Sequence, residues 1–570
     1  MTAPSPTPVP WMADAPYAVP RHPAPITLRL DGNEGAPPSP RVLESLSTLT
    51  PESLQRYPSP RPLEAALARR FGLSPASVLV TAGGDEGLMR ICRAFLGPGR
   101  SFVMPEPSFE MIRRYATGTG AEVRSLPYPS AGYPTDEVIA ACDETTAMVA
   151  VVSPNNPTGG VIAAEDLRRL SAALPQVMLM VDLAYTEFSD CDLTDTALAL
   201  PNAVVFRTFS KASGLAGLRL GYAMGSERWI DVLRGAGLPY PVSSPALTLA
   251  DAILDDAGSA DADIAQIKTA RTRITDALER AGLTVYPSQG NFVFARGTDG
   301  AWWRDAMAGL GIGIRAWPGN DALRDAIRIS CPSTPSETTR LCRAIDTVAK
   351  PQAILFDMDG VLADVSRSYR VAIQQTAGRF GVEVSPSDIE AIKARGDANN
   401  DWVVTHRLVS AAGVSATLEA VTEAFETLYQ GCDNADPLYA QETLIGSRAS
   451  LTDLKRRYRL GIVTGRPRAD AERFLTDFGL SDLFDAVVCM EDAPPKPNPE
   501  PVTVAMNTLG VERAWMVGDT PDDALAARNV GVLPIGVVAP GVSKAVKTTL
   551  LHSGAAVVLE QWDQIQERLS

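Results

Sequence analysis

Short, nearly uninterrupted apolar runs alternate with amphipathic stretches along most of the chain. Residues 77–81, 101–104, 147–152, 177–181 and 203–207 read as strands, and a helix is predicted over about 85–95, behind Gly83-Gly84. Strands that are apolar throughout, instead of at every second position, predict a buried and mostly parallel sheet with helices on both faces. A long amphipathic helix is predicted near 261–281, and the runs at 290–294 and 327–330 suit strands of a smaller α+β lobe. Past Lys350-Pro351-Gln352, the predicted junction, a new strand begins at once at 353–356. A polar-rich helical stretch follows from about 366 to 446, and strand–helix alternation resumes at 460–464, 486–489 and 514–517. That second pattern is an open α/β core interrupted by a helical insertion. The expected domains are an extended Pro-rich arm (1–25), an α/β domain whose small lobe starts near 250 (26–349), and a second α/β domain with a cap at about 366–446 (352–570).

Composition changes this picture mainly by exclusion. A length of 570 residues exceeds one core and suggests about four domains. The net charge of −15 argues against a sequence-independent nucleic-acid binder, because the phosphate backbone would repel it. The seven cysteines (Cys92, Cys142, Cys191, Cys331, Cys342, Cys432 and Cys489) are scattered and show no CxxC spacing, as expected of reduced thiols in a cytoplasmic protein. With only His22, His406 and His552, a His-rich metal site and a Ser-His-Asp triad are both disfavoured. Catalysis is left to Lys, Asp and Tyr. No apolar run reaches the roughly 18 residues of a membrane span, and the N-terminal stretch lacks the basic start and apolar centre of a secretory signal.

The candidate chemistry begins at Phe206-Arg207-Thr208-Phe209-Ser210-Lys211, followed by Gly217-Leu218-Arg219. One lysine stands among hydroxyls, with an arginine able to hold a phosphate. Alone, Lys211 would read as a surface lysine; in this company it suits the Schiff-base lysine of a pyridoxal 5'-phosphate (PLP) enzyme. Asp182, at the end of an apolar run, suits the pyridine nitrogen, or else caps a helix. Tyr185 and Asn156 are candidate donors to the ring oxygen, Tyr185 having packing as its alternative. Gly83, Gly84 and Asp85 open a helix after a strand, where backbone N–H groups meet a phosphate, although a Gly-Gly pair alone is weak evidence. Phe109 is a candidate ring-stacking wall, or simple core.

Together these residues resemble the fold type I aminotransferases of class I/II, most closely the histidinol-phosphate aminotransferase branch, over about residues 28–346. The motifs are Asp31-Gly32-Asn33-Glu34, Arg56-Tyr57-Pro58, Ala82-Gly83-Gly84-Asp85-Glu86, Asn156-Pro157-Thr158-Gly159, Val181-Asp182-Leu183-Ala184-Tyr185 and the lysine segment. The resemblance implies a large α/β domain with a small α+β lobe. It implies that Tyr57 reaches the PLP phosphate of a neighbouring subunit, hence a homodimer. It also implies that Arg328 binds the carboxylate of glutamate and then the phosphate of a keto substrate, with Arg315 as second phosphate ligand and Asn33 beside the substrate. The chain departs from the family at Leu183, where glutamate is usual, and in the irregular stretch before Asn33.

A second set follows in the C-terminal half: Asp357 and Asp359 after a strand, Thr464 in Val463-Thr464-Gly465-Arg466, Lys496 in a Pro-rich loop, and Asp519 and Asp523 in Gly518-Asp519-Thr520-Pro521-Asp522-Asp523. A carboxylate attacking a phosphoryl group needs its repulsion cancelled, which a lysine and Mg2+ can do, and an oxygen-only donor set suits Mg2+. An Asp-x-Asp pair alone is usually a surface acidic loop. The four elements in order resemble the phosphatase branch of the haloacid dehalogenase (HAD) superfamily, a Rossmann-like α/β fold with a helical cap, over about 352–540. The resemblance implies Asp357 as nucleophile, Asp359 as acid and then base, and Thr464 and Lys496 on the phosphoryl oxygens. It implies a metal site of Asp357, the Asp359 carbonyl and Asp519, with Asp523 nearby. The polar turn Arg395-Gly396-Asp397-Ala398-Asn399-Asn400-Asp401-Trp402 in the cap reads either as a leaving-group reader or as a solvated loop. The two resemblances imply a bifunctional enzyme, which aminates imidazole acetol phosphate with glutamate and then hydrolyses the resulting histidinol phosphate to histidinol with Mg2+. The same chemistry on another amino-ketone or amino-sugar phosphate, or a non-catalytic sensing module in the second half, are the alternatives.

Overall fold

The computed structural model describes residues 6–12, 16–129, 132–256, 258, 260–393, 400–431 and 436–569. Positions 395–399 of the polar cap turn, and Cys432, lie outside the described residues. The chain forms two compact units. One holds Met1–Val19, Leu30–Thr298 and Arg315–Thr339; the other holds Pro20–Arg29, Asp299–Ile314 and Arg340–Ser570. The units interleave along the chain, whereas the sequence pattern gives a single junction at Lys350.

The first unit is built on a seven-stranded sheet. Its strands are β1 (Val78–Thr81), β2 (Ser101–Glu106), β3 (Glu122–Pro127), β4 (Thr146–Val152), β5 (Met178–Asp182), β6 (Ala203–Thr208) and β7 (Gly221–Gly225), in the spatial order β1-β7-β6-β5-β4-β2-β3. The strands are apolar throughout because both faces are covered. Val149, Val151, Leu179, Val181 and Val205 pack into one core, and their neighbours Met148, Ala150, Met180, Val204 and Phe206 into another on the opposite face. β7 is antiparallel to both β1 and β6. The two reversals cancel, so β1 ends at the same edge as the parallel strands β2 to β6. That edge collects the candidate residues, as open α/β sheets do at their carboxyl ends.

Two of these strands carry little sequence signal. β3 is an edge strand with polar and half-exposed positions, and β7 is a short run bounded by Gly221 and Gly225. The predicted helices over 85–95 and 261–281 are Gly83–Phe95 and Asp261–Arg280. A smaller sheet carries β8 (Thr284–Tyr286), β9 (Phe292–Arg296), β10 (Ile312–Ala316) and β11 (Ala326–Ser330). The antiparallel register sets Arg315 opposite Arg328.

The second unit has a parallel sheet of β12 (Ala353–Phe356), β13 (Arg459–Val463), β14 (Ala486–Val488), β15 (Ala514–Gly518), β16 (Leu533–Val537) and β17 (Val558–Leu559), ordered β14-β13-β12-β15-β16-β17. Helices Tyr369–Arg379, Pro386–Lys393, Asp401–Ala411 and Leu418–Gln430 form the insertion between β12 and β13. A two-residue antiparallel ladder, Ala363–Asp364 against Thr443–Leu444, closes the insertion where it leaves and rejoins the core. None of the six described cysteines is joined in a disulfide. No helix among the described residues is long and apolar enough to cross a membrane.

Candidate active sites

In the first unit, β5 ends on Asp182 and β6 on Thr208, and Thr81, Gly221 and Thr208 lie in register across β1, β7 and β6. The close approach needs glycine: a Cβ on Gly221 would come within 2.7 Å of the backbone of Gly83 and Gly84. Gly83 has φ +78°, and a Cβ there would lie 2.8 Å from Arg219 Nη2. The helix N-terminus at Gly83–Gly84 and the Arg219 guanidinium thus share one pocket edge, a geometry suited to phosphate. Arg219 adopts the left-handed conformation at φ 53°, and its Nη2 donates to Asp85 Oδ2 at 2.9 Å. Ser210 N–H donates to Thr208 Oγ1 at 3.0 Å, which folds the segment so that Lys211 follows.

Lys211 Nζ donates to the Gly32 carbonyl at 3.3 Å and lies 5.4 Å from the Tyr185 ring centre. The Tyr185 hydroxyl accepts from Asn33 Nδ2 at 3.2 Å. Asn33, at φ 54°, is held by Ser330, whose Oγ accepts from the Asn33 N–H and donates to Asn33 Oδ1, both at 2.9 Å. Asp182 is buried, and its side chain accepts only from the Ala184 N–H among the described residues. Burial raises its carboxyl from 3.8 to about 7, against smaller opposing pulls from the Ala184 N–H and then Lys211. A protonated pyridine nitrogen would supply the missing cation.

Arg328 donates to Asn156 Oδ1 at 2.6 Å and to the Asp31 carbonyl at 2.7 Å, while its Nε makes no hydrogen bond among the described residues. This turns the Asn156 amide so that Nδ2 remains for another acceptor. Arg315 is also buried and its Nη1 has no hydrogen-bond partner among the described residues; Glu110 lies 3.7 Å from Arg315 Nη2. Two buried guanidinium groups with donors left over are suited to receiving an anion. Phe109 packs against the β2–β4 core, half-buried at the start of the helix Glu110–Thr117. Tyr57 does not join this cluster within the chain. It is 79% exposed and stacks on Tyr240 at 4.5 Å. Sequence reading missed Ser330 and Asn291, which hold Asn33 in place, the latter by donating to its carbonyl at 3.1 Å. Neither is of a type that announces chemistry.

In the second unit, Asp357, Thr464 and Asp519 each follow a parallel strand (β12, β13 and β15); Phe356, the last residue of β12, pairs with Ile462 and Val517, each one short of its own strand's end. Lys496, 3% exposed, donates to Asp357 Oδ1 at 2.8 Å, to the Val463 carbonyl at 3.0 Å, and to Asp523 Oδ1. Burial works to lower the Lys496 pKa, but Asp357 and Asp523 outweigh it and hold the ammonium charged. Asp357 is pushed well above the usual carboxylate range by burial, with Asp523, Asp519 and Asp359 adding to the effect against Lys496. Burial and Asp523 raise Asp519 to about 7.

One oxygen each of Asp357, Asp519 and Asp523 lie within 4.8 Å of one another. This excess of anionic oxygen fits a hard divalent cation such as Mg2+. Asp523 is the most occupied of the three, since its Oδ2 also accepts from the Thr520 N–H at 3.0 Å and the Thr520 hydroxyl at 2.6 Å. Gly360 leaves room for the cluster, as a Cβ there would meet Asp519 Oδ2 at 2.3 Å. Thr464 is buried, and its Oγ1 accepts from the Arg466 N–H at 3.1 Å. The side chain of Asp359 points elsewhere: its Oδ1 accepts from Arg466 Nε at 2.5 Å. Arg466 and its second partner Glu442 were not singled out from sequence. Arg466 sits inside the Thr464 motif, whereas Glu442 carries no sequence signal.

These geometries agree with the similarities of the chain to known proteins. Residues 29–345 match the family "Aminotransferase class I and II", and residues 354–537 match "Haloacid dehalogenase-like hydrolase". The chain is 37% identical over 357 residues to a histidinol-phosphate aminotransferase of Rhodospirillum centenum, covering 60% of this chain and 98% of that protein. It is 50% identical over 220 residues to an imidazoleglycerol-phosphate dehydratase of Phytophthora nicotianae; this covers 37% of the chain and spans about half, 48%, of that relative. Among solved structures, the histidinol-phosphate aminotransferase of Sinorhizobium meliloti in complex with pyridoxal-5'-phosphate matches with a TM-score of 0.53 at 28% identity, over 57% of this chain and 92% of that one. The chain belongs to the aminotransferase class I and II family and carries, behind that domain, a haloacid dehalogenase-like hydrolase domain.

Proposed function

We propose that the chain is a bifunctional enzyme acting in histidine biosynthesis. Its first unit transfers the amino group of glutamate to imidazole acetol phosphate, giving histidinol phosphate. Its second unit hydrolyses that ester to histidinol and phosphate with Mg2+. The observation that carries the reading is the pair of buried arginines, Arg315 and Arg328, facing each other in register, each with a donor unfilled among the described residues; Arg328 donates to the Asp31 carbonyl and Lys211 to that of the next residue, Gly32. Such a site fits a substrate with an anionic end. The relatives add support: two are named for enzymes acting on imidazole-derived phosphates, and dehydration of an imidazoleglycerol phosphate yields the keto phosphate that the transaminase would consume.

When bound, PLP supplies an electrophilic aldehyde carbon and an electron-withdrawing ring. The groups suited to hold it are the amides of Gly84 and Asp85 with Thr208, Ser210 and Arg219 at its phosphate, Asp182 at its ring nitrogen, and Tyr185 and Asn156 at its ring oxygen. Phe109 would line its face, and Tyr57 of a second copy would close a homodimer. The Lys211 amine is the group that would carry the proton away from the substrate Cα. Arg328 and Arg315 hold first the glutamate carboxylate and then the phosphate of the ketone, which lets one site serve both half-reactions.

In the second unit, Mg2+ held by Asp357, Asp519 and the Asp359 carbonyl would supply positive charge to the incoming phosphate. Asp357 attacks phosphorus, the ester P–O bond breaks, and Asp359 protonates the departing alkoxide. A water molecule, giving its proton to Asp359, then attacks phosphorus and restores Asp357. Lys496 and Thr464 stabilise the equatorial oxygens. The test is direct. With glutamate, imidazole acetol phosphate and Mg2+, the purified chain should release 2-oxoglutarate and inorganic phosphate. Phosphate no higher than in an enzyme-free control would defeat the reading.

A further inference from the structure

Arg466 is 2% exposed, an uncommon state for a guanidinium. Its Nε donates to Asp359 Oδ1 at 2.5 Å and its Nη1 to Glu442 Oε2 at 2.9 Å. The Tyr369 ring centre lies 5.0 Å from the guanidinium carbon and the Phe474 ring centre 5.4 Å, so its plane is wedged between aromatic side chains. Glu442 is itself buried, and its other oxygen accepts from Ser368 Oγ at 2.8 Å and from the Tyr429 hydroxyl at 3.0 Å. The Tyr429 ring stacks on Tyr369 at 4.4 Å. Each oxygen of Glu442 is therefore committed, and Arg466 has no freedom to swing.

Two features argue against a purely structural ion pair. A buried pair is a weak source of stability, since apolar residues of similar volume serve as well. The Asp359 end of this pair is also not buried: the Asp359 side chain is 28% exposed while that of Arg466 is 1% exposed. Only Oδ1 of Asp359 is engaged among the described residues, and Oδ2 is left for another partner. Beside it lies a cavity of about 20 Å³, lined by Asp359, Arg466, Asn400 and Trp402. It has room for one water molecule. The buried Nη2 of Arg466 makes no hydrogen bond among the described residues.

We propose that Arg466, pinned by Glu442 between Tyr369 and Phe474, is a positioning residue for ester hydrolysis. It fixes one carboxylate oxygen of Asp359 so that the other meets the leaving group. Ser368, Tyr369, Tyr429 and Glu442 lie on or beside the helical insertion, whereas Asp359 and Arg466 lie on loops at the strand ends. The aim of the acid is thus set by the packed insertion. The inference rests on the hydrolase reading above.

A leaving group that needs no proton separates this role from a structural one. Nitrophenolate is such a group; the alkoxide of histidinol is not. Arg466→Gln should lower kcat for histidinol phosphate about 100-fold, the scale of a misplaced general acid, with KM within about threefold of wild type. With p-nitrophenyl phosphate and Mg2+, the same variant should keep a burst of one nitrophenolate per protomer at a rate within about threefold of wild type, followed by slow turnover. Arg466→Lys should recover part of the kcat for histidinol phosphate. Glu442→Gln, which only loosens the pin, should show the same pattern at about 10-fold. The proposal fails if both variants slow the nitrophenolate burst as much as they slow histidinol phosphate, because Arg466 then only supports the fold. It fails equally if neither ester is affected. Phosphate release by the wild-type chain from neither ester would instead remove the hydrolase reading, and the role of Arg466 with it.

Discussion

In the first unit, Arg315 and Arg328 on the smaller sheet are buried with donors unfilled among the described residues, and Asp182, at the end of β5, has no cation in contact among them; at the edge of the parallel sheet of the second unit, Lys496 already spans Asp357 and Asp523. The first site is short of anions for its arginines and of a cation for its aspartate. The second has more carboxylates than cations, even with Lys496 in place. Each is a set of charges that the fold alone leaves uncompensated, at a cost that packing elsewhere must offset. The difference fits their chemistry. On the function proposed above, one site would receive a cofactor and two successive anionic substrates, which suits donors that stay open. The other would attack with its own carboxylate, which suits a nucleophile already aimed by Lys496.

If the sites are as separate as their charges imply, single substitutions should divide the two activities cleanly, and this is the largest effect expected. Lys211→Ala should cut glutamate-dependent formation of 2-oxoglutarate by roughly 10⁴-fold or more, with phosphate release from histidinol phosphate within about twofold of wild type. Asp357→Asn should do the reverse. A variant that lowers both activities would show that the sites are coupled. Chelation comes next: removing Mg2+ with EDTA should depress phosphate release by about 10³-fold and leave transamination unchanged, since only the second site holds an excess of oxygen ligands.

The anion site of the first unit gives a smaller and more specific effect. Arg328→Lys keeps the charge but loses the fork that reaches Asn156 and the Asp31 carbonyl together. KM for both glutamate and the keto phosphate should rise about 10- to 100-fold, measured in each half-reaction by absorbance of the cofactor. A rise for only one of the two would mean that the two anions do not share Arg328.

How much of this could be read from the chain depended on which residues announce themselves. The strands of the first sheet were visible wherever both faces are buried, as in β4 and β5. β3 was hidden by its edge position and β7 by its flanking glycines. The aspartates, lysines and arginines of the two sites stood out because they sit in recognisable strings, several of them, such as Asp182, Lys211, Asp357 and Asp519, at or just past a strand end. Their supports did not. Ser330 and Asn291, which hold Asn33, and Glu442, which holds Arg466, become informative only when distant segments meet. The orientation of Asp359 toward Arg466 likewise depends on side-chain geometry that no spacing rule encodes.

The smallest effect tests whether the cation missing beside Asp182 is real. Burial raises this carboxyl from 3.8 to about 7. Below about pH 4 the group is protonated in both folded and unfolded chains and contributes no difference. Between about pH 4 and pH 7 the unfolded chain ionises and the folded one does not, so the folded state loses ground as pH rises. Above pH 7 both forms are ionised and the loss levels off, at up to about 4 kcal/mol. Denaturant unfolding of the cofactor-free chain from pH 5 to pH 8 should therefore show the first unit losing stability by up to about 1.4 kcal/mol per pH unit more in wild type than in Asp182→Asn. Saturating PLP, by placing a pyridinium at the carboxylate, should flatten the wild-type slope and leave that of the variant unchanged. Mg2+ should do neither, because its ligands belong to the other unit. Parallel slopes in wild type and variant would mean that Asp182 is already compensated within the fold, and the contrast between an open and a pre-set charge site would then lose its first half.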